Sequence, residues 1–294
     1  MLDQLTYHRN TSGEARYTVL IPTWNNLAFL QLVVRSLRQN STHEHQIVVF
    51  VNEGVDGTRE WLAKQTDVDY ILSPENAGIC YALNLARSLA RAPYLVYFND
   101  DMYALPGWDE RLIEVADGMP TREFMVSATM IEPYDTGNPC VSFGNYGQSV
   151  DAFEESRLLS EYSQHKKSDW SGSTWPPNLM PTELWDAVGG LSIEYHPGVY
   201  SDPDFSRKIW ELGVREFRGV GDSLVYHFGR QSTSRLKHHK GREIYVRKWG
   251  IGSGTFTRHF LRLGKAYEGP LTEPVLPLAL RIKDWLKVRG WIKA

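Results

Sequence analysis

Two adjacent carboxylates close an apolar run at Asn99-Asp100-Asp101, and a second acidic pair, Asp202 and Asp204, stands in SDPDFSRKIWELG. Carboxylate oxygens are natural ligands of a hard divalent ion, and such an ion offsets the charge that builds on a departing diphosphate. A strand-end Asp also commonly caps a turn, so spacing alone leaves both roles open for the first pair. Polar clusters end two earlier runs, Pro22-Thr23-Trp24-Asn25 and Asn52-Glu53-Gly54-Val55-Asp56-Gly57-Thr58. Neither GxGxxG nor GxxxxGK[ST] follows the first of them, which argues against a dinucleotide or P-loop site. Trp170 and Trp175, in SDWSGSTWPPN, can stack on a sugar ring or pack in a core.

Four short apolar runs must position these groups: YTVLI ending at Ile21, QIVVFV at Val51, DYIL at Leu72 and YLVYF at Phe98. The first three lead into helix-period segments, the signature of parallel βαβ units and of half a nucleotide-binding α/β fold. In such a sheet ligands bind at the carboxyl ends of the strands, where the polar clusters lie. Asn25 or Asn26 is suited to cap a helix with Leu27, Leu30, Val34 and Leu37 on one face, and Thr58 to cap the next, with Trp61 and Leu62 inward. A third helix is predicted from about residue 78 to 91, burying Ile79, Ala82, Leu83, Ala86 and Leu89. Residues 121–181, rich in Ser, Gly, Pro, Asn and aromatics without a clean period, read as mixed strands and long loops suited to acceptor recognition. Helical patterns resume at about 182–188 and 202–212, and the chain ends in LPLALRIKDWLKVRGWIKA.

The chain has 294 residues, 42% hydrophobic and 23% charged, so it is large enough for a substantial core and unlike a disordered segment. A formal net charge of −3 supplies no basic field for nucleic acid. Cys80 and Cys140 lack a CxxC spacing, which indicates neither a disulfide framework nor a zinc site and fits a reducing, cytoplasmic setting. No secretory signal is read at the N-terminus, and no apolar run reaches the length of a membrane span.

The order of the segments resembles the family 2 glycosyltransferases, which have a GT-A fold. The matching stretches are IPTWNN, the acidic turn running to DGT, NAGICYALNLA, FNDDMY, Gly107-Trp108, VGGL at 188–191, SDPDFSRKIWELG, His227 and RKWG at 247–250. The resemblance implies an α/β nucleotide-binding fold with a mostly parallel central sheet flanked by helices and a smaller mixed-sheet acceptor region. It implies a donor half over about 15–105, an acceptor half over about 106–265, and a tail over 266–294.

The same resemblance implies transfer of a sugar, with inversion, from a nucleotide-sugar, UDP-linked by family weight, to a hydroxyl of a glycan or lipid-linked glycan. Pro22, Thr23, Asn25, Asn52 and Glu53 would meet the nucleotide; the family usually has two Asp where Asn52-Glu53 stands here. Asn76 and Gly78 open a helix whose N-terminus favours anions, although plain capping accounts for Asn76 as well. Asn99 and Asp100 would line the donor site, and Asp101 with His227 would hold Mn²⁺ or Mg²⁺. Asp202 would be the catalytic base, the alternative being that Asp202 and Asp204 only offset the helix dipole. Arg230 and Arg235 would reach the diphosphate or remain solvated. The tail combines Arg281, Lys283, Lys287, Arg289 and Lys293 with Leu280, Trp285, Leu286, Trp291 and Ile292, which suits peripheral contact with the inner face of a membrane or simple packing on the domain. Because Asn52, Asn99 and Ser201 replace family acids, a catalytically impaired scaffold that binds a nucleotide sugar or glycan is the second reading. A nucleotidyltransferase would want a Gly- and Arg-rich phosphate loop after the first run, which IPTWNN is not.

Overall fold

A computed structural model describes residues 4–229 and 240–293. The first part of the chain holds strands β1 (Thr6–His8), β2 (Tyr17–Trp24), β3 (His45–Asn52), β4 (Val68–Ser73) and β5 (Tyr94–Tyr97), with helices α1 (Leu27–Asn40), α2 (Thr58–Leu62) and α3 (Gly78–Ala86) between them. The four apolar runs are β2 to β5. Each is buried on both faces, as a parallel strand covered by helices must be. Alternation splits them between two cores. Tyr17, Val19, Ile21, Ile47, Val49 and Val51 face the side carrying Leu30, Val34 and Leu37 of α1, while Leu20, Val48 and Phe50 face Ala82, Leu83 and Ala86 of α3.

The second half adds β6 (Met102–Ala104), α4 (Trp108–Asp117), β7 (Phe124–Glu132), β8 (Val141–Phe143), α5 (Glu155–Glu161), β9 (Trp170–Ser171), β10 (Asn178–Pro181), α6 (Thr182–Ala187), α7 (Ser201–Glu211) and β11 (Glu216–His227). After them come α8 (Gly241–Trp249), the short α9 (Ser253–Thr255), which runs on into a π-helical turn over Phe256–Phe260, and α10 (Leu278–Val288). Among the described residues the strands form one sheet in the order β1-β4-β3-β2-β5-β10-β7-β11-β6, with β8 on β7 and β9 on β11. The mixed-strand region is thus the continuation of the parallel sheet.

Pairing directions decide where the chemistry gathers. β2, β3, β4 and β5 are mutually parallel. β10 is antiparallel to both β5 and β7, and β11 is parallel to β7. Seven strands, β2, β3, β4, β5, β7, β8 and β11, therefore point one way, and their carboxyl ends share one edge of the sheet.

Three helix details differ from the local reading. Neither Asn25 nor Asn26 caps α1 through its side chain; the Leu27 N–H is met by Asp56 across the loop at 2.8 Å, because the Asn25 amide is drawn to Glu53. Thr58 is the first residue of α2, and Asp56 again accepts from its N–H and hydroxyl. The third helix ends at Ala86 and tightens into a 3₁₀ turn over Arg87–Leu89.

Candidate active site

At the shared edge, Asp101 follows β5 and His227 ends β11, with Asp101 Oδ1 3.4 Å from His227 Nε2. The other ring nitrogen, Nδ1, is 2.8 Å from Glu132 Oε1 at the end of β7. Register explains the meeting, since Ile131 pairs with Tyr226 and the next residues are Glu132 and His227. A backbone bond from Phe228 N–H to the Asp101 carbonyl, 3.0 Å, ties the β11 end to the acidic loop. Burial alone would favour a neutral ring, but Asp101 and Glu132 outweigh it and push the His227 pKa up to about 10.

Asp100 turns the other way. It is buried, and desolvation followed by the charge of Asp101 pushes its pKa up to about 7, while the Thr23 and Asn26 side chains and the Trp24 backbone oppose the shift. It therefore couples the β5 end to the β2 end, leaving Asp101 as the acid that faces His227.

The β2 and β3 loops are bound to each other. Glu53 Oε2 accepts from Trp24 Nε1 at 3.0 Å and from Asn25 Nδ2 at 2.8 Å. Asn25 Oδ1 accepts from Val55 N–H. The Asn52 amide is committed within the fold: Nδ2 donates to the Thr23 carbonyl, and Oδ1 accepts from Ala77 N–H at 2.8 Å. Pro22 and Thr23 are buried beside it, Asn99 is half-buried, and Asn76 Oδ1 closes an Asx turn on Gly78 N–H. Asn84 holds the N–H and carbonyl of Leu191, a structural clamp.

A second lobe of the site reaches over α3. Ile79 N–H donates to the Pro197 carbonyl, and a Cβ at Gly78 (φ +72°) would lie 2.6 Å from His196 Nδ1, so only glycine lets this loop settle on the helix start. The loop leads through Tyr200, at φ 78°, into α7 and its two acids. Asp204 is wholly buried and engaged by Ser192 Oγ (2.6 Å), Trp249 Nε1 (2.8 Å) and Lys248 Nζ (2.9 Å). Asp202 is half-buried, has no hydrogen bond or ion pair among the described residues, and desolvation pushes its pKa up to about 7. The Tyr97 phenol at the β5 end is raised by burial first and then by the charges of Asp202, Cys80, Asp101 and Asp100, so all three carboxyls act on one side chain. Of the four non-glycine residues with positive φ among the described residues, Asn25, Glu53 and Tyr200 belong to these loops. Backbone held in that sparsely populated region commonly marks functional loops.

Not every candidate is drawn in. Trp170 is a core residue: its ring covers Gly219 and its Nε1 donates to Thr129 Oγ1 at 2.9 Å, so it presents no face to a sugar. Trp175 is half-buried before a cis Pro176-Pro177 bond. Arg230 and Arg235 lie outside the described residues. Glu132 carries no motif; its only signal in the sequence is an acid ending the apolar run FMVSATMIE, within the stretch that reads as mixed strands and long loops.

Among the described residues no group of three or more His, Cys, Asp and Glu is arranged to hold an ion alone. Asp101 and His227 supply one carboxylate oxygen and one imidazole nitrogen, and Glu132 stands behind the ring, the carboxylate–histidine arrangement that orients a metal ligand. Two protein ligands with the remaining positions left to phosphate oxygens and water suit Mg²⁺ or Mn²⁺. The donor set fits the ion.

Residues 18–149 match the family model described as glycosyl transferase family 2. Among solved structures, the S. aureus TarS fragment 1–349 in complex with UDP-GlcNAc superposes with a TM-score of 0.59 at 13% identity, over 93% of this chain and 71% of that one. The mannosyltransferase PcManGT from Pyrobaculum calidifontis, in complex with GDP-Man and Mn²⁺, gives 0.51 at 17% identity, over 97% and 71%. No curated protein matches the chain in sequence. The GT-A fold expected from the motif order is the fold observed, and the family match covers β2 to β8.

Proposed function

With a family 2 glycosyltransferase sequence over residues 18–149 as the premise, we propose that the protein moves a sugar, with inversion, from a nucleotide-diphosphate donor, UDP-linked by family weight, to a hydroxyl of a glycan or lipid-linked glycan. It acts from the cytoplasmic side, in peripheral contact with a membrane. The observation that carries the reading is the Asp101–His227 pair at the edge of the sheet together with the Asp202 carboxyl, which has no hydrogen bond or ion pair among the described residues and whose charge acts on Tyr97 at the end of β5.

In this reading the loops after β2 and β3 seat the nucleotide, Glu53 and Thr23 nearest to it. Asp101 and His227 would hold Mn²⁺ or Mg²⁺, which when bound supplies counter-charge for the departing nucleoside diphosphate. Asp202 takes the proton of the acceptor hydroxyl as its oxygen attacks the anomeric carbon; the bond to the phosphate oxygen breaks as the new glycosidic bond forms. A carboxyl with its pKa near neutrality and no partner among the described residues suits that role.

The test is a thermal-shift screen of UDP, GDP, dTDP and CMP with and without Mn²⁺, on wild type and Asp101→Ala. A metal-dependent rise for one nucleotide, absent in the variant, is expected. No rise with any nucleotide would remove the donor site. A rise without turnover on a broad acceptor panel would favour the scaffold reading motivated by Asn52, Asn99 and Ser201.

A further inference from the structure

Helix α10 is amphipathic the wrong way round for a helix lying on a protein. Its one fully buried residue is Asp284, while Leu278, Ile282 and Trp285 are 68%, 50% and 45% exposed. The spacing i, i+4, i+7 puts these three on a single outward stripe. Val288, the last residue of the helix, and Trp291 and Ile292 beyond it extend the apolar exposure. Asp284 fastens the helix to the body, Oδ1 accepting from Gly252 N–H at 3.2 Å and lying 3.4 Å from Lys287 Nζ. A soluble surface would place these residues in the opposite sense, so the stripe is built for an apolar partner.

Charge identifies that partner. Residues 278–293 carry five cations, Arg281, Lys283, Lys287, Arg289 and Lys293, against one acid, in a chain whose net charge is −3. Arg289 lies over the Trp285 ring at 4.5 Å, and Trp285 meets Trp291 edge-on at 5.3 Å, forming an aromatic and cationic rim. Beside the helix a cleft of about 390 Å³ is lined by Tyr200, Arg242, Arg258, His259, Lys283 and Lys287, with no carboxylate on its walls. Arg242, Arg258 and Lys283 have no ion-pair partner among the described residues. An apolar stripe bordered by cations matches the acyl and phosphate layers of an anionic bilayer, whereas a second copy of this chain would bring the same positive charge against it.

We infer that α10 and the adjoining cleft form the surface on which the protein lies on an anionic lipid bilayer, the stripe of Leu278, Ile282 and Trp285 entering the acyl boundary and the cleft cations covering phosphate headgroups. Tyr200 lines the cleft and stands two residues before Asp202. Docking this way turns the Asp202 lobe toward the lipid, where the acceptor of the proposed transferase would be anchored. The inference deepens that reading, but its test needs neither donor nor acceptor.

The experiment is flotation of the full chain with vesicles of phosphatidylcholine alone and of equal parts phosphatidylcholine and phosphatidylglycerol, with light scattering of the free protein. Wild type should float with the anionic vesicles and not with the neutral ones, and lose binding at high salt. Ile282→Glu with Trp285→Glu, both at exposed positions, should weaken flotation by about tenfold or more while leaving the melting temperature unchanged, and Lys283→Glu with Arg289→Glu should do the same. Failure of wild type to bind anionic vesicles, or flotation of both double variants undiminished from wild type, overturns the inference. A wild-type dimer that becomes monomeric in Ile282→Glu/Trp285→Glu also overturns it and assigns the stripe to a second copy. A nucleotide thermal shift that persists beside failed flotation leaves the transferase reading standing.

Discussion

His227 is held between two carboxylates, Nδ1 at 2.8 Å from Glu132 and Nε2 at 3.4 Å from Asp101. One contact fixes the ring, and in the proposed function the other is where an ion would sit. Glu132→Gln keeps the shape and removes the charge, and Glu132→Ala removes both. Each should weaken Mn²⁺ binding, by about 10- to 100-fold for Ala, with nucleotide binding in the absence of metal unchanged. Titration of Mn²⁺ against the apo protein checks this without turnover.

Asp202 and Asp204 separate by their partners. Asp202→Asn should lower kcat by about 10²- to 10⁴-fold with donor affinity and melting temperature preserved. Asp204→Ala strands Lys248 and the Trp249 indole and should cost about 3 kcal/mol of stability, seen as a lower melting temperature. If the two phenotypes were exchanged, Asp204 would be the base.

Because Asp202 is pushed up to about 7 by desolvation, its base form is lost as pH falls through that value. Transfer should decline by about tenfold per pH unit below about 7. The stability contribution runs the other way: the folded state binds the proton more tightly than the unfolded one, so this group favours folding more as pH drops from about 7 toward about 4. Comparing wild type with Asp202→Asn, in rate and in melting temperature across this range, isolates both effects.

Gly78→Ala should displace the 196–202 loop, since its Cβ would meet His196 Nδ1 at 2.6 Å and Pro197 Cα at 3.0 Å at a φ of +72°. A loss of about 1–3 kcal/mol is expected. Transfer should fall more than donor binding, measured by turnover beside nucleotide thermal shift, because the loop carries Asp202.

Local pattern carried most of the first five strands and their helices. Apolar runs ending at Ile21, Val51, Leu72 and Phe98 became β2 to β5, since a strand buried on both faces needs little beyond its own residues to be recognised. Their polar ends fell at one edge because parallel βαβ units leave no other arrangement. Caps were less legible: Asp56 serves both α1 and α2 from a loop whose path depends on Glu53 binding Asn25.

The sequence by itself determined the strand ends, the acids and histidine of the motif order, and a tail both basic and apolar. Only the tertiary structure decided that Glu132 meets His227 across 95 positions, that Asp204 is consumed by Trp249 and Lys248 while Asp202 is not, and that Trp170 is core. It also decided that α10 turns Asp284 inward and Trp285 outward. Periodicity is set by neighbours along the chain, whereas these contacts depend on the order β5-β10-β7-β11 and on which face of each helix finds a partner, and a residue's type does not reveal which groups across the sheet will use its hydrogen bonds.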